Sequence, residues 1–225
     1  QAIKIAKKLN KQGINTKVFL VTHAPFERER GLINNLIVYL YDLLVGRNTL
    51  NKFDKILTIT KWEIPYLEKL GVRKEKIRYM PNGIPEEFFE LKKQAKEENK
   101  ILFLGRVSPI KNIETLIKAV SLIKNKKIIL EIVGPREEEY YNKIKKLVSE
   151  LDLNKRVIFS QPIYGSKEKI EKIDSARIFV LPSKSEGMPQ SLIEAMSRKM
   201  IVIASDNLAS RDLIDNGKNG ILFKT

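Results

Sequence analysis

The chain has 225 residues, 43% hydrophobic and 31% charged, enough for one large or two modest globular domains and too apolar for a disordered chain. It has no cysteine, which excludes disulfides, thiolate metal sites and cysteine nucleophiles and fits a reducing compartment. Its 42 Lys+Arg against 27 Asp+Glu give +15, spread evenly (residues 1–98 hold 19 basic and 12 acidic side chains), so the charge suits an anionic substrate or membrane surface better than a nucleic acid, which would want one basic patch.

Residues 1–12 read as a helix with Ile3, Ala6 and Leu9 on one face, closed by Gly13. A strand follows over Lys17–Thr22 and ends at His23, the one histidine of the chain. Gly31–Val45 reads as a strongly apolar helix, but Asn34, Asn35 and Asp42 interrupt it and it falls short of the roughly 20 residues a membrane span needs. Strands at 53–60 and 77–80 flank a helix at 61–70, and Pro81-Asn82-Gly83 makes a turn. Residues 90–100 carry charge with almost no apolar pattern, which marks a linker at 91–99. Beyond it the alternation is regular. Strands are expected at 101–104, 128–133, 157–160, 177–182, 201–205 and 221–224, with helices near 112–124, 137–151, 167–174, 190–199 and 209–215. Strand and helix in alternation predict an α/β fold with a parallel sheet. The expected organisation is a first, incomplete domain over 1–90 and a complete doubly wound domain over 100–225.

In such sheets ligands bind at the C-terminal ends of the strands, so the loops there are the candidates. The most informative is Ser183–Met196, where an apolar strand passes through Gly187 and Pro189 into a helix beginning at Gln190. A helix N-terminus offers unpaired N–H groups and a favourable dipole to an anion. Glu186 and Glu194 bracket this turn; if the anion is a diphosphate, they are placed to accept hydrogen bonds from sugar hydroxyls on either side, the alternative for Glu194 being the polar side of its helix. A second loop, Gly105–Asn112, puts Arg106 and Lys111 beside another helix start: Arg for bidentate hydrogen bonds, Lys as a point charge. In a third loop Gly134 follows a buried strand and would let a flat ring approach the backbone, a plain turn being the equal alternative. The loop Ser160–Ile163 carries no signal of its own. The chain contains no D-x-D pair, no His/Asp metal cluster, no G-x-S-x-G elbow and no P-loop, so no metal is expected.

Taken together, these loops resemble retaining glycosyltransferases of family 4 (glycosyl transferases group 1), which adopt the GT-B fold of two Rossmann-like domains. The resemblance rests on Glu186-x7-Glu194 within Glu-Gly-Met-Pro-Gln-Ser-Leu-Ile-Glu-Ala-Met, on Gly105-Arg106 with Lys111 five residues after the arginine, on the hinge Pro81-Asn82-Gly83, and on the strand-end His23. It implies metal-independent transfer, with retention, of a sugar from a UDP-, GDP- or ADP-linked donor to a glycan or lipid-linked acceptor, with no separate cofactor. Arg106 and Lys111 would neutralise the diphosphate. Gly187, Met188, Pro189, Gln190 and Ser191 would hold donor phosphate and sugar, Glu186 a sugar hydroxyl, and Glu194 the ribose. Gly134, Pro135, Gln161 and Pro162 would face the base, and His23 would reach the donor sugar. Asn112 stands where a glycine commonly follows the lysine, Ser160-Gln161 where an F-x-G turn is usual, and Leu208-Ala209 in place of a glycine pair. The resemblance further implies a chain truncated at both ends; the basic surface and the apolar helix over 32–45 suit a lipid-linked acceptor met peripherally at the cytoplasmic, inner membrane face, a helix packed in the core being the alternative, and the even spread of charge points to no nucleic-acid partner. Two alternatives share the same motifs: a nucleotide-sugar-binding protein without turnover, and a GT-B nucleotide-sugar epimerase, for which a single histidine supplies few acid/base groups.

Overall fold

The computed structural model of the chain describes residues 1–23, 44, 46–90 and 97–224. The apolar helix expected over 31–45 lies almost wholly outside them. The chain divides into two compact units, Gln1–Asn82 and Gly83–Thr225, and the division falls inside the Pro81-Asn82-Gly83 turn.

The first unit holds helix α1 (Ala2–Lys11), strand β1 (Phe19–Thr22), the single turn α2 (Arg47–Leu50), strand β2 (Lys55–Thr58), helix α3 (Glu63–Lys69) and strand β3 (Ile77–Tyr79). The strands form one parallel sheet in the order β1-β2-β3. Its core is small: Ile56, Leu67, Val72 and Ile77, joined by Leu20, Leu50, Phe53 and Ile64. Parallel pairing demands a crossover between strands, and α3 supplies the one between β2 and β3.

The second unit contains strands β4 (Glu97–Leu104), β5 (Ile129–Val133), β6 (Val157–Ser160), β7 (Ala176–Leu181), β8 (Ile201–Ser205) and β9 (Ile221–Phe223). Between them run helices α4 (Ile113–Leu122), α5 (Glu138–Glu150), α6 (Ser166–Asp174), α7 (Gln190–Ser197) and α8 (Leu208–Leu213). All six strands are parallel, in the order β6-β5-β4-β7-β8-β9. That is the doubly wound order, and it reverses direction between β4 and β7. Both faces are covered by helices, so the central strands are near-continuous apolar runs: Leu102, Phe103, Leu130, Ile132 and Phe179 are almost inaccessible to solvent.

The expected linker needs correction. Its residues 97–99 already belong to β4, and the segment before it folds with the second unit. Phe88, 1% exposed, inserts into that unit's core from a short 3-10 turn at Glu86–Phe89. Arg198 at the end of α7 holds this segment, donating to the carbonyls of Phe88 and Glu90 while pairing in bidentate fashion with buried Asp174 (2.9 and 2.5 Å). One phenylalanine and one buried guanidinium thus overrule the polar composition that follows them. The boundary lies at residues 82–83 rather than 91–99.

Candidate functional site

A cavity of about 360 Å³ opens at the point where the strand order of the second unit reverses. The loops after β4, β5 and β7 and the first turns of α7 form its walls, with α6 at one side. Open α/β sheets bind ligands at such a point, because the two flanking loops diverge and leave a crevice between them.

The first half of the loop after β4 is held by its neighbours. Gly105 N–H donates to the Val133 carbonyl (2.9 Å), Val107 N–H to Pro135 (2.8 Å), and Glu137 N–H back to Val107 (3.0 Å). Gly134 is the contact point of the two loops. Its φ is +148°, and a Cβ there would overlap the Gly105 carbonyl oxygen. Backbone crowding by Gly105 therefore requires the glycine whether or not a ring approaches it. At the other end of the loop, Lys111 closes a 3-10 turn and Asn112 takes the left-handed conformation (φ 49°, ψ 43°) before α4 begins. Asn is among the non-glycine residues that enter this region most readily, which accounts for its presence at this position. Its Oδ1 also accepts from the Thr115 hydroxyl (3.0 Å).

The loop after β7 is anchored from below and from the side. Asn207 Nδ2 (3.0 Å) and the Ser205 hydroxyl both donate to the Ser183 carbonyl, and Lys184 N–H donates to Ile110 (2.9 Å). The loop ends at Pro189, after which α7 starts with no acidic side chain in its first turn. The helix end at Gln190 and Ser191 therefore presents an uncompensated positive dipole to the cavity.

The structure brings together Arg106, Lys111, Gly134, Pro135, Glu186, Met188, Pro189, Gln190, Ser191 and Glu194, all on the cavity wall. Gly187, Gln161 and Pro162 are not among the lining residues; the β6 loop contributes Ile163 instead. His23 belongs to the first unit, exposed just beyond the C-terminal end of β1. Lys111 Nζ lies 2.5 Å from Glu186 Oε1. Among the described residues Arg106 makes no ion pair, and its side chain is exposed at the mouth.

Sequence reading missed one charged wall residue. Lys169, on α6, donates to Glu194 Oε1 at 2.8 Å, and Glu194 is only 4% exposed. One turn further along α6, Lys172 donates to Glu131 Oε1 (2.7 Å), a buried carboxylate of β5. Glu131 Oε1 also accepts from Ser160 (2.5 Å), and its Oε2 pairs with Lys100 (2.8 Å). Burial pushes this carboxyl up, but hydrogen bonds from Lys100, Lys172 and Ser160 more than offset it and hold the pKa at about 2. A buried tyrosine supports α4 in a related way. Tyr140 hydroxyl accepts from Ile113 N–H (2.9 Å) and donates to Glu114, and burial first, then Glu114, pushes its pKa up. Among the described residues no group of three or more His, Cys, Asp or Glu could hold a metal ion, and no helix is long and apolar enough to cross a membrane.

Two paired lysines, an exposed arginine, two carboxylates and a helix N-terminus can bind an anion with flanking hydroxyls. The chain is 29% identical over 220 residues to an uncharacterized glycosyltransferase of Methanocaldococcus jannaschii, covering 92% of this chain and 55% of that protein. It is 30% identical over 175 residues to the Escherichia coli UDP-Gal:α-D-GlcNAc-diphosphoundecaprenol α-1,3-galactosyltransferase, covering 70% of this chain and 44% of that protein. The chain spans about half the length of these relatives. Among solved structures it superposes on Anabaena HepE in complex with UDP (TM-score 0.78, 17% identity, 98% of this chain and 62% of that one). It also superposes on the sucrose-phosphate synthase of Thermosynechococcus elongatus (TM-score 0.77, 22% identity, 99% and 58%). The fold is thus the GT-B type. Residues 85–225, which carry every wall residue of the cavity, match the family described as glycosyl transferases group 1, and the chain belongs to that family.

Proposed function

We propose that the protein is a retaining, metal-independent glycosyltransferase of family 4 that moves a hexose from a nucleotide-diphosphate-sugar donor to a glycan or lipid-linked acceptor. The observation that carries this reading is the cavity at the sheet's reversal point, whose wall Arg106 and Lys111 share with the N-terminus of α7 and two carboxylates. A diphosphate is the ligand that this arrangement suits. Arg106 offers a planar fork of donors, Lys111 a point charge, and the amides of Gln190 and Ser191 a partial positive charge. Charge developing on the departing nucleotide is met by groups already in place, which makes an electrostatic contribution without a metal.

Lys111 now neutralises Glu186, so an arriving phosphate shares the ammonium and leaves Glu186 able to accept from a sugar hydroxyl. Glu194 is buried enough that a hydroxyl pair on a ribose would be held in a dry, directional site. Pro135 and Ile163 offer the apolar surface that a base would cover. An acceptor anchored in lipid accords with the +15 charge, with the acceptor in the name of the E. coli relative, and with peripheral contact at an anionic membrane on the cytoplasmic side.

Calorimetry with UDP, GDP and ADP tests donor binding, and release of free nucleotide from the matching sugar donor tests turnover. Micromolar binding of one nucleotide is expected, on the order of −8 kcal/mol. Absence of binding by all three would sink the reading.

A further inference from the structure

The cavity treats its two carboxylates alike: each has one lysine, Lys111 on Glu186 and Lys169 on Glu194. The first pair comes from the loops after β4 and β7, but the second comes from α6, a helix that sequence reading left out of the site. We infer that Lys169 is a positioning residue of the nucleotide site, which holds Glu194 oriented so that a single carboxylate oxygen faces the ribose and selects for its 2′-hydroxyl. This inference rests on the reading of the cavity as a nucleotide-sugar site.

Glu194 Oε1 is occupied by Lys169 Nζ at 2.8 Å. Oε2 has no donor among the described residues, yet it is not one of the buried unpartnered atoms, so it meets solvent in the cavity. The carboxylate therefore offers a ligand one oxygen. Without the ammonium, a carboxylate only 4% exposed would stand uncompensated among Leu192 and Ala195, and would turn away. A lysine on a flexible four-carbon stem makes a precise partner only if its helix is fixed. Here α6 is fixed by its next turn, where Lys172 reaches into the buried Glu131–Lys100–Ser160 cluster. The Phe88 ring lies 6.0 Å from Lys169 Nζ.

The experiment measures affinity of the 225-residue chain for UDP, GDP and ADP and for their 2′-deoxy counterparts. For the ribonucleotide that binds, Lys169→Met is expected to lower affinity about tenfold, the value of one charge-assisted hydrogen bond. Its effect on the 2′-deoxy counterpart is expected to be small, so that the ribose-to-deoxyribose preference falls toward one. Lys169→Arg should keep most of the preference, and Lys169→Met should add no loss in a Glu194→Ala background. If Lys169→Met does not fold, Lys169→Gln replaces it in the same comparison. An unchanged preference in the lysine variant, whatever the overall affinity, overturns the inference while leaving the nucleotide site standing. No binding of any ribonucleotide by the unaltered chain overturns the nucleotide site itself, and the inference with it.

Discussion

Glu131 on one side and Glu186 with Glu194 on the other are lysine-paired carboxylates of the second unit, and they differ in how completely they are satisfied. Glu131 is closed: Lys172 and Ser160 occupy one oxygen and Lys100 the other, under the sheet and away from solvent. Glu186 and Glu194 are open: each has one lysine, and both face the same cavity as Arg106. A carboxylate whose lone pairs are all used internally can only hold the fold together. One with a spare oxygen and a shared cation can exchange partners with a ligand. The contrast separates structural from functional charge without reference to residue type, since both groups are made of Glu and Lys.

The largest effect should come from the closed group. Glu131→Ala leaves Lys100 and Lys172 without their shared anion and is expected to cost about 3–5 kcal/mol in denaturant unfolding. A loss below about 1 kcal/mol would mean that the cluster is not closed in solution.

Acid should expose the same difference. The pKa of Glu131 is lowered in the fold to about 2 from an ordinary 4.5, so its contribution is fully present above 4.5 and disappears as pH falls through about 2. The expected loss is on the order of 3 kcal/mol. Glu131→Gln should flatten that acid limb of the stability curve; an unaltered limb would assign it to other carboxylates.

Open-group substitutions should act on binding instead. Arg106→Ala is expected to weaken nucleoside diphosphate binding about 10- to 100-fold, leave the nucleoside alone unaffected, and shift stability by less than about 0.5 kcal/mol. If it unfolds the protein as Glu131→Ala does, the comparison fails.

The smallest effects should lie in the loop that aims Lys111. Asn112→Ala should cost about 1–2 kcal/mol through its left-handed backbone, whereas Asn112→Gly should stay within about 0.5 kcal/mol. Equal effects of the two would show that the backbone conformation is not what selects the residue.

Most of the second unit was legible as sequence, because a parallel sheet buried on both faces writes each central strand as an unbroken apolar run. Every strand expected between 101 and 224 occurs within a few residues of its expected bounds. Arg106, Lys111, Glu186 and Glu194 were legible as well, since each sits in or next to a loop whose strand and helix announce where it must lie. Lys169 was not. On α6 it is one of three lysines in Ser166-Lys-Glu-Lys-Ile-Glu-Lys-Ile-Asp174, and helical spacing places it on the inner side only relative to Lys172 and Ile173. Glu131 reads as a polar interruption in a buried strand. Its partners come from β4, β6 and α6, far apart in the chain.

By itself, the sequence determined which segments are strands and helices, their parallel arrangement, and the loops able to meet an anion, because periodicity and turn chemistry are local. Only the tertiary structure decided the boundary after Asn82, the backbone contact that makes Gly134 a glycine, the choice of Ile163 over Gln161 and Pro162 as wall, and the pairing of Lys169 with Glu194. Each of these depends on how far one element lies from another across the fold, and that distance has no local signature. Packing sets it.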